Sequence, residues 1–250
     1  MSDVLEPTPS DSASLSARES EPTEQLGPGR LSWRLRQQTA AAHRRAEGSP
    51  LMRRLFRGDV GRQEYCRFLR SLWEVYRALE RGLADNQEHE AIRGLSFAAL
   101  HRLQPLAEDL ASLHGAGWAD GIATGPATAG YVAHLQQIAR VAPHLLVAHA
   151  YVRYLGDLSG GQLLRDRVMA SLALAGDVGT AFYRFPAIPD AGAFKDAYRA
   201  ALDALPVDVP TAEAIVAEAA AAFERNLAVF DEIDQEVEEA TRQRSMDSAE

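Results

Sequence analysis

Three groups of residues have the types and spacing to do chemistry. The first surrounds His43. Arg36 lies seven residues earlier, two helical turns or roughly 10 Å along the same face, and Glu47 lies four residues later. A cation, an imidazole and a carboxylate in line would suit a ligand with a metal at its centre and carboxylates at its rim. Glu47 could also polarise His43 by accepting from its second ring nitrogen. An ordinary surface salt-bridge face has the same spacing. The second group is Gly156, Gly160 and Gly161, set inside a long helical pattern where each glycine costs about 1 kcal/mol relative to alanine. Gly156 and Gly160, four apart, share a face that would let either a flat ligand or another backbone come close. The third is Lys195 with Arg199, two cations at i, i+4. Lys195 is the only lysine among 26 basic residues, a hint that its position wants a compact ammonium.

Other chemistries lose their support. The chain has no HExxH, no Glu-x-x-His, no GxSxG and no GxxxxGK[ST]. Its one cysteine, Cys66, cannot form an internal disulfide or a thiolate cluster, which removes disulfide scaffolds, zinc fingers and iron–sulfur ligation and fits a reducing cytoplasm. His149 and the remaining histidines read as structural.

The elements that must position these groups are helices. Apolar residues recur at three and four spacings in a chain rich in Ala, Leu, Arg and Glu, so the fold is expected to be all-α. The pattern predicts helices at about 31–46, 62–88, 92–113, 127–141, 143–174, 190–204 and 210–238, broken by GSP, GAGWADG and LPVDVP. Residues 1–29 are rich in Pro, Ser and Glu and are expected to be a disordered tail without a secretory signal. Residues 30–234 form one domain in this reading, and 235–250 a polar, acidic tail. Net charge is −9, but the two ends carry most of it: −5 over residues 1–29 and −6 over 231–250, so the part between comes to +2. No run reaches the roughly 18 to 20 apolar residues of a membrane span. Neither a membrane nor a nucleic-acid partner is expected, and the protein is expected to be a cytoplasmic monomer.

The residues also carry a resemblance. LLVAHAYVRYLGDLSGGQ (145–162), TAAAHRRAE around His43, SLWEVYRALE with Tyr76, YRFPAI followed by FKDAYR, and AFERNLAVFDEI near the end stand in the order and spacing of the biliverdin-producing haem oxygenases. The chain resembles that family over residues 30–234. The resemblance implies an all-α fold that sandwiches haem between a proximal helix and a glycine-rich, kinked distal helix. His43 matches the proximal iron ligand and Glu47 its polar neighbour. Gly156, Gly160 and Gly161 match the distal helix, whose bare backbone lies close over the haem. Asp157 matches a distal carboxylate that holds a water network, and Tyr76 a partner in it. Arg36, Lys195 and Arg199 match the cations facing the propionates, while Tyr151, Phe223 and Asn226 match pocket positions.

The resemblance further implies oxidative cleavage of haem b, at once substrate and cofactor, by O₂ at a meso carbon, α expected. The products are biliverdin, CO and Fe²⁺, with electrons from a ferredoxin or flavoprotein reductase and a biliverdin acceptor downstream. Two departures bear on haem seating: Ala40 stands where some relatives carry a second base, and Val152 where threonine is common. A haem carrier that does not degrade its ligand would keep His43 and the basic rim but would not need Asp157 and Tyr76 together. A helical interaction module packing on its glycine face predicts no haem binding.

Overall fold

The computed structural model describes residues 29–95, 97–176 and 178–247, so the expected tail 1–29 lies outside the described residues but for its last position. Among the described residues, all regular structure is helical. The elements are α1 (Leu31–Glu47), α2 (Pro50–Arg57), α3 (Arg62–Asp85), α4 (Glu90–Arg93), α5 (Leu103–His114), α6 (Trp118–Gly121), α7 (Pro126–Val141), α8 (Leu146–Ala150), α9 (Gly156–Ser171), α10 (Ala191–Asp203) and α11 (Val209–Asp247).

Several breaks expected from the sequence are themselves helical. GSP opens α2: the Ser49 side chain caps Met52 N–H and Pro50 takes the first turn, where its missing N–H costs nothing. The expected helix at 92–113 is divided into α4, a 3₁₀ turn at Ala98–Leu100 and α5. α11 runs to Asp247, well past residue 238, through the stretch read as a polar tail.

Carboxylates from distant helices satisfy the helix starts that local sequence leaves bare. α1 has no side-chain cap of its own, and Asp203 at the end of α10 accepts from Ser32 N–H and Ser32 Oγ, both at 2.9 Å. Glu232 on α11 takes the N–H groups of Ala127 and Thr128 at the start of α7. A Cβ at Gly125 would meet the Glu232 carboxyl group, so a larger residue there would make that mobile carboxylate shift from its capping position. Asp109 accepts from Ala181 and Phe182 N–H at 2.7 and 2.8 Å. These bonds lock α1 against α10 and α7 against α11. α11 packs on α1, α2, α3, α7 and α8 and is the spine of the core.

The backbone departs from α geometry at Tyr151–Leu155, a π-helical turn between α8 and α9 immediately before the glycines. Such single π turns commonly mark functional sites. Among the described residues, no helix is long and apolar enough to cross a membrane.

Candidate functional site

α1 supplies one wall. Leu35, Thr39, Ala42 and Ala46 bury its inner stripe, and Arg36, His43 and Glu47 fall on the exposed side. The His43 and Glu47 side chains are each half exposed, with His43 Nδ1 3.6 Å from Glu47 Oε2. That is beyond a direct hydrogen bond and within reach of electrostatic polarisation or a bridging water. Because Nδ1 is the nitrogen turned toward Glu47, Nε2 is left for a ligand. Phe223 of α11 packs edge-on against the imidazole, with ring centroids 5.6 Å apart, so the side chain has an apolar backing on one flank.

The second wall is the segment from Tyr151 through α9. Among its glycines, a Cβ at Gly156 or Gly160 would meet nothing within 4 Å, whereas one at Gly161 would approach the Tyr183 backbone at 3.5 Å. Gly161 is thus buried against Tyr183, at a distance where a Cβ would make ordinary van der Waals contact. Gly156 and Gly160 present bare backbone to open space, which a tight helix crossing would not do. The room is what a flat ligand needs.

Asp157, next to Gly156, is the most constrained acid of the site, its side chain 11% exposed. One oxygen accepts from the Tyr76 hydroxyl of α3 and the other from Arg153 Nη2 at 3.1 Å. Arg153 in turn donates to Asn226 Oδ1 on α11 at 3.1 Å and reaches the Tyr76 oxygen at 3.4 Å. Asn226 is fixed by its own bond to Ala222 O, 2.7 Å away. Burial pushes the Asp157 pKa up; the Arg153 charge and the Tyr76 hydrogen bond pull against this without cancelling it. Burial likewise raises the Tyr76 phenol well above its ordinary value. Burial works against the Arg153 charge, but Asp157 and Tyr76 outweigh it and the pKa rises.

α10 joins the two walls at the rim. It packs on α1, and its Lys195 Nζ approaches Ser159 Oγ of α9 at 3.5 Å. Arg199, one turn on, pairs with Asp196 at 3.0 Å. Tyr151 is half-buried against the core.

The sequence-derived residues thus fall into contacting sets: His43 with Glu47 and Phe223, Asp157 with Tyr76, and Lys195 with the glycine helix. Arg153 was missed. It is the residue that connects Asp157, Tyr76 and Asn226, and its spacing of four before Asp157 was the available signal.

Comparison with known proteins agrees with this architecture. The family model described as Heme oxygenase matches residues 29–232. "Heme oxygenase 1" of Nostoc sp. is 38% identical over 204 residues, 82% of this chain and 86% of that protein. The crystal structure of heme oxygenase-1 from the cyanobacterium Synechocystis sp., in complex with heme, superposes with a TM-score of 0.81 at 37% identity, covering 88% of this chain and 100% of the other. Heme oxygenase-2 of the same organism, in complex with heme and NO, gives 0.81 at 38% identity, covering 84% and 88%.

Proposed function

The chain belongs to the haem oxygenase family, and on the geometry of its two walls we propose that it opens haem at the α-meso carbon, giving biliverdin, CO and ferrous iron with O₂ and externally supplied electrons. The observation that carries this reading is the pairing of a half-exposed His43 with the bare strip at Gly156 and Gly160. An imidazole with a free Nε2 and a wall without side chains fit a flat, metal-centred substrate.

Bound haem supplies an iron that activates O₂ and the meso carbon that is attacked. The protein's residues bind, orient and move protons around it. His43 Nε2 would ligate from the α1 wall, and Glu47, on the Nδ1 side, would orient the ring through a bridging water. A neutral imidazole gives less electronic push toward O–O cleavage than a thiolate does. Arg36, Lys195 and Arg199 hold the propionates and so set the rotation of the ring, while Gly156 and Gly160 let backbone close over its face. Asp157, clamped by Tyr76 and Arg153, holds water and a proton at the distal side. Its raised pKa suits a group that both accepts and donates. A carrier that only stored haem would have no use for a carboxylate held at both oxygens, and this favours the enzyme.

We assign the electron donor to an acidic ferredoxin or flavoprotein reductase meeting the cationic edge. The single buried Cys66 suits a reducing compartment.

The test is a visible titration of the purified chain with ferric haem, followed by a ferredoxin reducing system in air with an iron chelator. A Soret band that gives way to biliverdin, chromatographing as the IXα isomer, is the expected result. Stable haem that never bleaches would reject the enzyme, and mainly β or δ isomers would reject the assigned regiochemistry.

A further inference from the structure

A second cluster of metal-binding side chains lies outside the two walls, where α7, α8 and α11 meet. Glu218 Oε1 accepts from His134 Nε2 at 2.6 Å and from His149 Nε2 at 2.9 Å. Behind it the Tyr131 hydroxyl lies 3.0 Å from His149 Nδ1. The His149 side chain is fully buried, while those of His134 and Glu218 are 18% and 13% exposed. The cluster therefore sits just under the surface, reachable from the His134 side.

We propose that His134, His149 and Glu218 form a binding site for one divalent first-row transition-metal ion, separate from the haem iron. Two imidazole nitrogens and one carboxylate oxygen are a ligand set used for Zn²⁺ and Fe²⁺, and the nitrogens disfavour the hard cations Mg²⁺ and Ca²⁺. The three ligand atoms already lie within 4.8 Å of one another. A tetrahedral ion with bonds of about 2.0–2.2 Å would place neighbouring ligand atoms about 3.3 Å apart. To reach it the two N···O separations must widen by about 0.7 and 0.4 Å and the two imidazole nitrogens must close in from their separation of up to 4.8 Å, a shift that falls on His134 because His149 is the fully buried member.

Tyr131 makes the change of bonding possible at the buried member. To ligate, His149 must carry its proton on Nδ1 rather than Nε2, and the neighbouring hydroxyl can accept that proton's hydrogen bond as readily as it can donate one to a bare Nδ1. Ligating histidines commonly have their second nitrogen held in this way. Arg225 is close enough to act electrostatically on His149 and opposes a cation. Affinity is therefore expected to be moderate, and the fourth position goes to water.

The test uses the full-length, untagged, haem-free chain, stripped with chelator and titrated with Co²⁺ alone. Ligand-field absorption should saturate at one Co²⁺ per chain, and Zn²⁺ should displace it. His134→Ala and Glu218→Gln should each weaken Co²⁺ binding by at least about tenfold, while His43→Ala leaves it unchanged. Circular dichroism checks the fold of each variant. If Glu218→Gln unfolds, His134→Ala decides alone. Absence of saturable Co²⁺ absorption, or binding that survives His134→Ala, would overturn the site. Loss of Co²⁺ binding in His43→Ala would also overturn it, by assigning the signal to the haem ligand.

Discussion

The two walls of the proposed haem site are built on different principles. On α1, His43 and Glu47 are half exposed and 3.6 Å apart; little but the edge of Phe223 constrains the imidazole. On the distal side, Asp157, Tyr76, Arg153 and Asn226 come from three stretches of chain and hold one another by hydrogen bonds. The contrast locates where function and stability are coupled. In the proposed reading, an iron ligand can sit on a surface because its partner, the iron, arrives from outside. A proton-handling acid must be kept dry and oriented, so its partners come from the protein and become part of the core.

The largest expected effect is on the distal wall. Asp157→Ala leaves Arg153 charged and buried without its ion-pair partner, so unfolding free energy should fall by about 3–5 kcal/mol. Haem should still bind, and biliverdin formation should drop by about 10² or more, with peroxidase-like oxidation of an added donor in its place. Denaturant unfolding and product chromatography measure the two arms. Normal biliverdin yield would erase the contrast between the walls.

His43→Ala should do the reverse. Haem affinity should fall by about a hundredfold with loss of the Soret signature, while stability moves by no more than about 0.5 kcal/mol, as for other substitutions of exposed residues. A large loss of stability would mean that the proximal wall is as coupled to the core as the distal one.

Next in size is a pH effect rooted beside Tyr76. Glu80, one turn further along α3, is pushed up to about 7 by burial, although Arg102 and Leu103 N–H donate to it at 2.6 and 3.3 Å. Asp109 is raised to about 6, again mainly by burial. Both folded-state values lie above the ordinary ones, so between roughly pH 4 and 7 the folded chain holds protons that the unfolded chain has lost, and stability falls as pH rises through that window. Glu80→Gln keeps an acceptor for both N–H groups without the charge. It should lessen the fall by about 2 kcal/mol, read from unfolding midpoints at pH 5 and pH 7.5. Equal pH slopes in the two proteins would show that Glu80 is not the group responsible.

The smallest effect concerns the glycine strip. Gly160→Leu enters open space at a backbone angle that any residue adopts, so helix propensity should add about 0.5–1 kcal/mol to stability. Haem affinity should fall by about tenfold or more as the new side chain takes the ligand's room. A stabilised protein that binds haem unchanged would show that the ring does not lie there.

Local information was enough for a definite part of this protein. The spacing of apolar residues determined that the fold is helical, and the glycines of 156–161 with the flanking motif determined the family. Arg36, His43 and Glu47 follow from periodicity, because residues four and seven apart on one helix share a face wherever that helix packs. Tertiary structure decided the rest. Asp203 caps α1 across 171 residues of chain, Asn226 meets Arg153 across 73, and Glu218 draws His134 and His149 together across 84 and 69. No period in the sequence carries those pairings. Nor does composition tell Gly161, set against the Tyr183 backbone, from Gly160, which faces open space. The physical reason is that helix geometry sets which residues share a face, whereas only the packing of helices sets what that face meets. The place of Arg153 at the centre of the distal network therefore became legible only once α3, the π turn and α11 were packed together.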